Sequence, residues 1–199
     1  MTRARGVHVR LARSNNSFES DALKTTRLKL IIGCFREIKV LCDVTRRNSL
    51  SERFPQLKHV TETIKANTGV LDGEIVALDK DGLPRFDALR SRRTGVAIVF
   101  YAFDLLYLDG FNRTACSLVQ RKALLKSILP KDNTGRVRFT DHVSGSGERL
   151  FENLEALQLE GMVIKRKGSV YAFMRTRDWR KVRTTAGRVT MQKRIENWS

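Results

Sequence analysis

Branched and aromatic apolar residues crowd into short runs along this chain, and the runs divide it into strands and helices. In residues 27–45, Leu28, Leu30, Ile31 and Ile32 and then Ile38, Val40, Leu41 and Val44 predict two strands joined near Cys34 and Glu37, most simply a hairpin. Residues 51–66, which hold Phe54 and Pro55, read as helical or mixed. Residues 70–78 follow with branched side chains that favour strand, and Asp79-Lys80-Asp81-Gly82 turns the chain. Residues 96–108 are too apolar for a half-exposed strand; they predict a central one, covered on both faces and ended by Asp109-Gly110. Residues 117–129 read as a helix. A second helix, residues 148–157, places Leu150, Phe151, Leu154 and Leu157 at helical spacing after the breaker Ser144-Gly145-Ser146-Gly147. Residues 161–167 and 179–183 read as strands, and 186–198 as a basic helix. Residues 1–22 show no clear period and read as a basic, disordered arm. The order of elements predicts an α+β architecture, its sheets mainly antiparallel and its helices outside.

Composition adds a partner class. The 199 residues are 41% hydrophobic, enough for a buried core, and 30% charged with a net charge of +17. Such an excess of Lys and Arg gains free energy by releasing counterions from a polyanion, which points to nucleic acid or nucleotide. A solvated basic face is the plain alternative. Cys34, Cys42 and Cys116 lack CxxC spacing and indicate neither a zinc site nor a disulfide framework. No apolar run approaches the roughly 20 residues that span a bilayer, and the start lacks the apolar core of a secretory signal. The expected place is therefore the cytoplasm, in association with the nucleoid.

Chemistry concentrates in four blocks: Leu71-Asp72-Gly73-Glu74, Phe100-Tyr101-Ala102-Phe103-Asp104, Leu159-Glu160-Gly161-Met162-Val163-Ile164-Lys165 and Trp179-Arg180-Lys181-Val182-Arg183. Each sets an acidic, aromatic or basic group beside an apolar run, as a sheet does when it presents functional groups along one rim. Taken singly, each group has an ordinary reading: Glu74 as an exposed strand residue, Phe103 as core, the cations as solvated surface charge. Glu160 is less ordinary, because a helix end favours a cation over a carboxylate.

In this order and spacing, with Thr45-Arg46-Arg47-Asn48 and Glu52-Arg53-Phe54-Pro55 before them, the blocks resemble the adenylation (nucleotidyltransferase) domain of ATP-dependent DNA ligases, most closely the bacterial non-homologous end-joining type. The resemblance covers residues 45–198. It implies an ATP-grasp-like ligase domain over residues 23–185, incomplete at its start, with 186–199 a terminal basic helix and no oligonucleotide-binding-fold domain after it. It also implies ATP and Mg²⁺ as cofactors, DNA nicks or ends as substrate, and a separate clamp or end-binding protein as partner. Glu74 and Glu160 match the acidic positions suited to a hard cation. Phe103 matches the aromatic that stacks on adenine, and Tyr101 and Phe100 read as core. Arg46 matches the residue expected near the ribose or the DNA end, and Lys165 and Lys181 match lysines near the phosphates; Arg183 stands where a second lysine is usual, keeping the charge but not the geometry.

In such enzymes the resemblance implies a lysine that attacks the α-phosphate of ATP, within Lys-x-Asp-Gly. This sequence holds no such motif; Lys80-Asp81-Gly82 lacks the intervening residue and reads as a turn. Lys24, in Leu23-Lys24-Thr25-Thr26-Arg27, has nearly the right distance from the later blocks and is the preferred replacement. Lys39, in Glu37-Ile38-Lys39, copies the residues that precede the motif but leaves no room for the intervening hairpin. A nucleophilic amine must shed its proton from an ordinary pKa of about 10.4, which Arg27 and Lys29 beside Lys24 assist electrostatically. Weak or partner-dependent activity is the expectation, with a non-catalytic nucleotide- and DNA-binding remnant as its alternative.

Overall fold

The structure, a computed structural model, describes residues 54–57, 59–82, 88, 95–145 and 147–196, and the backbone of 7–12, 28–32, 40–43 and 48–49. Among these residues two sheets carry the fold. The larger has the strand order β4 (Asn48–Ser49), β3 (Val40–Asp43), β2 (Leu28–Ile32), β5 (Gly69–Leu78), β6 (Ala97–Leu108) and β7 (Phe111–Asn112), with β8 (Val137–Phe139) parallel beside β6. The smaller has the order β11 (Trp179–Arg183), β10 (Gly161–Arg166), β1 (Val7–Ala12) and β9 (Val143–Ser144). Helices α1 (Leu118–Ile128), α2 (Gly147–Ala156) and α3 (Thr185–Glu196) complete it. The predicted hairpin is present as the antiparallel pair β2 and β3, and the described part of residues 51–66 holds short 3₁₀ turns at Pro55–Leu57 and Val60–Thr63.

Strand β6 is covered on both faces, as a run apolar at every position but Asp104 requires. On one face Ile98, Phe100 and Ala102 join Ile75 and Ala77 of β5, under Leu125 and Ile128 of α1 and Leu57, Val60 and Ile64 of the 3₁₀ turns. On the other, Val99 packs with Val76, Leu78 and Tyr101. Gly73 is what lets the strands approach. A Cβ there would lie 2.2 Å from Phe100 Cζ and 2.6 Å from the Tyr101 carbonyl oxygen.

Two helices are held by different means. Ser117 caps α1 in a reciprocal pair with Gln120, each satisfying an amide that the helix start would leave open. Leu118, Leu125 and Ile128 face the core, and Arg121 stands in the same stripe, fully buried. Its Nε and Nη2 donate to the two oxygens of Asp104 at 2.7 and 3.1 Å, and its Nη1 donates to the carbonyls of Cys116 and Ser169. Helix α2 instead buries Leu154 against Met162, with Leu150, Phe151, Ile164 and Val182 around them. Leu157 does not belong to that stripe: the helix ends at Ala156, Gln158 takes a φ of 50°, and Leu157 is 66% exposed.

The N-terminal segment corrects an expectation. Residues 1–22 read as a disordered arm, yet Val7–Ala12 is strand β1, paired along its length with β10. The alternation Val7, Val9, Leu11 against His8, Arg10 is the two-residue period of a strand. The surrounding arginines and serines masked it. In register, Val9 and Leu11 stand opposite Ile164 and Met162.

Two substitutions test this packing. Gly73→Ala drives a methyl into Phe100 and is expected to cost about 1–3 kcal/mol in urea unfolding, the range of an overpacked core; an unchanged midpoint would show that the strands are not in close contact there. Asp104→Asn removes the charge that balances a buried guanidinium and is expected to cost about 3–5 kcal/mol. A loss below about 1 kcal/mol would mean that Arg121 reaches water.

Candidate functional site

The site grows from an irregularity in β6. Ala102 pairs with Gly73 and Asp104 with Asp72, so Phe103 is an extra residue, a β-bulge. In a regular strand Phe103 and Asp104 would point to opposite faces. The bulge turns both towards Lys165 of the smaller sheet: the Lys165 ammonium lies 5.1 Å from the centre of the Phe103 ring and 3.4 Å from Asp104 Oδ2. It also sits 4.0 Å from the Trp179 ring, on β11 directly opposite. Asp104 is thus shared between two cations, Arg121 and Lys165.

Strands β10 and β11 divide their side chains cleanly. Met162, Ile164 and Val182 face α2, so alternation puts Val163, Lys165, Trp179, Lys181 and Arg183 on the other face. Lys181 donates to Glu160 Oε1 at 2.8 Å. Glu160 is buried, and its Oε2 has no hydrogen-bond partner among the described residues. That atom is a poor thing to bury idle, since an unmet carboxylate oxygen costs free energy.

The backbone explains why Glu160 stays there. Thr184 donates from its amide to the Glu160 carbonyl at 3.0 Å and from its hydroxyl to the Leu159 carbonyl. Gly187 in the first turns of α3 comes so close that a Cβ would lie 1.9 Å from the Glu160 carbonyl oxygen. Gly161 has a φ of 147° and leaves no room for a side chain against Val182. Glu160 is therefore fixed from both sides.

On the larger sheet Asp72 is fully buried and accepts a 2.6 Å hydrogen bond from the Tyr171 hydroxyl. Glu74, half-buried, stands opposite Tyr101 and by alternation on the face of Val76 and Val99. Phe100 lies in the main core, whereas Tyr101 lies on the second face with Arg138 against its ring and hydroxyl. Phe103 is 2% exposed. Lys24, Lys39 and Arg46 fall outside the described residues. Lys80-Asp81-Gly82 is a turn, closed by a hydrogen bond from Gly82 to the Asp79 carbonyl.

Sequence reasoning quoted Asp72 and Asp104 without giving them work, and passed over Arg121, Tyr171 and Thr184. One signal was available. Arg121 occupies the apolar stripe of α1 between Leu118 and Leu125, where a charge needs a buried partner, and Asp104 interrupts an apolar strand in the same way. Among the described residues no cluster of three or more metal-ligating side chains occurs, and no helix is long and apolar enough to cross a membrane.

Comparison with known proteins places this geometry. Residues 41–183 match the ATP dependent DNA ligase domain. The "Multifunctional non-homologous end joining protein LigD" of Pseudomonas aeruginosa is 32% identical over 136 residues, covering 67% of this chain but 16% of that protein. The crystal structure of the ligase domain from M. tuberculosis LigD superimposes with a TM-score of 0.70 at 26% identity, over 89% of this chain and 53% of that one. A mycobacterial DNA ligase D complexed with ATP and MES gives a TM-score of 0.69 at 25% identity, over 89% and 54%. The chain thus spans about half of the solved ligase domains and a small part of the multifunctional protein. With the family domain matched over most of its length, this chain belongs to the ATP-dependent DNA ligases and carries an adenylation domain of the non-homologous end-joining type.

Proposed function

We propose that this domain binds ATP where β10 and β11 meet β6, takes AMP onto a lysine of its own, and passes it to the 5′-phosphate of a DNA break for sealing, in DNA repair. The observation that carries this reading is the convergence on Lys165 of an aromatic and a carboxylate from one sheet and a tryptophan from the other. The ATP-bound ligase of like fold supports the choice of nucleotide. The basic chain supports the choice of DNA.

Each residue then has a task. Lys165, Lys181 and Arg183, on one face of the smaller sheet, supply fixed cations for the phosphates. Phe103 offers its ring to adenine; because it is buried, the base reaches it only as neighbouring side chains give way. Glu160 fits a divalent cation such as Mg²⁺, because Oε2 is buried without a partner and hard carboxylate oxygens suit that ion. Glu74 is the second carboxylate of that set. When bound, the ion neutralises charge that gathers on the phosphoryl oxygens.

In the adenylation step the lysine amine forms a bond to the α-phosphorus as the bond to pyrophosphate breaks, and the amine gives up its proton. Lys24 is the proposed nucleophile and Lys39 its alternative. A clamp or end-binding protein is the proposed partner for sealing. The missing Lys-x-Asp-Gly favours a second reading, a remnant that keeps nucleotide and DNA binding without catalysis.

Two measurements separate these. Incubation with α-labelled ATP and Mg²⁺ is expected to give an alkali-stable, acid-labile protein adduct that Lys24→Ala abolishes and Lys39→Ala keeps; no adduct in the unaltered chain leaves the remnant. DNA affinity is expected to fall steeply with salt, with a logarithmic slope of about −0.9 per phosphate contacted, and to vary little with sequence. An affinity indifferent to salt contradicts the DNA reading.

A further inference from the structure

The segment between β10 and β11 holds one buried anchor and, just beyond it, an exposed apolar tip. Tyr171 is the anchor. Its hydroxyl donates to Asp72, its amide donates to the Thr114 carbonyl at 2.8 Å, and its ring meets Trp179 edge-on at 5.1 Å. The Arg121 guanidinium lies 5.7 Å from that ring. Phe173, two residues on, touches the outer edge of Tyr171 at 5.1 Å yet is 64% exposed, and Met174 is 83% exposed. Large apolar side chains exposed to this extent beside a buried anchor mark a surface suited to contact.

The charge around the tip says with what. Arg175 and Arg177 follow it and are exposed, as are Arg166 and Arg180 at the strand ends, with Asp178 held by Arg166 at 3.1 Å. Residues 165–183 contain eight Lys or Arg and one Asp. An apolar tip ringed by cations suits a polyanion that carries flat apolar faces, and a nucleobase between phosphates has both. A purely apolar protein surface would have to bury those guanidinium groups unpaired.

We propose that Phe173 and Met174 form a wedge that stacks against an unpaired or terminal base of bound DNA, while Arg175 and Arg177 take the flanking phosphates. This rests on the DNA reading given above and adds a contact outside the nucleotide pocket. Because Tyr171 bonds to Asp72 and packs on Trp179, the wedge sits at a fixed distance from Lys165. It acts as a register mark: a base stacked on Phe173 sets which phosphate reaches the pocket.

The test uses the whole chain and a fluorescein-labelled duplex with a central nick, followed by fluorescence anisotropy over a series of salt concentrations. The double variant Phe173→Ala, Met174→Ala is expected to bind about tenfold more weakly with an unchanged salt slope, since stacking is lost and phosphate contacts stay. Phe173→Trp, which keeps a stacking face, is expected to hold the original affinity. Arg175→Ala with Arg177→Ala is expected to flatten the slope by about 2. Equal affinity for the first variant and the unaltered chain overturns the wedge alone. No salt-dependent binding by the unaltered chain overturns the DNA reading and the wedge with it. A dimer in sedimentation that the Phe173, Met174 variant dissociates would make a second copy of the chain the occupant, and would equally overturn the wedge.

Discussion

The carboxylate of Asp104 holds this molecule together. It lies at zero exposure, takes two hydrogen bonds from Arg121 of α1, and faces Lys165 of the other sheet. Through Arg121 it also reaches the Cys116 and Ser169 carbonyls, the first at the start of α1 and the second two residues before Tyr171. A buried ion pair of this kind adds little net stability over an apolar core, but its directional bonds permit one arrangement. Here that arrangement is the docking of the two sheets. The apolar clusters on either side could slide, whereas a forked guanidinium on a fixed carboxylate cannot.

The same constraint shapes the site. Asp104 can face Lys165 because of the bulge at Phe103, and the bulge delivers the aromatic to the same place. Gly73 stands opposite the bulge and gives Phe100 its room, so the Asp72-Gly73-Glu74 block serves packing. Glu160 is managed otherwise, by Thr184 and the close approach of Gly187, which pin its backbone while one carboxylate oxygen is left over.

Much of the fold was legible because its strands are either wholly apolar or bounded by clear turns. Residues 96–108 announced a doubly covered strand, and β6 is one; residues 148–157 announced a stripe, and α2 presents it as far as Leu154. Val7–Ala12 was missed because its alternating pattern lies within a basic stretch and its partner, β10, is more than a hundred residues away. The convergence at Lys165 was legible only as a likeness of spaced motifs. What the sequence could not display was the means: a bulge is invisible in a run of apolar letters, and the bond between Arg121 and Asp104 joins two positions that each look like a flaw in an apolar pattern.

One pocket shared by Phe103, Glu160, Lys165 and Lys181 is the claim on which the functional account stands. Photolabelling with 8-azido-ATP, followed by peptide mapping, tests it most directly. Label confined to peptides from β6 and from residues 159–183, and displaced by excess ATP, is the predicted result. Label on α3 or on the outer face of α2, or label that ATP does not displace, would contradict it.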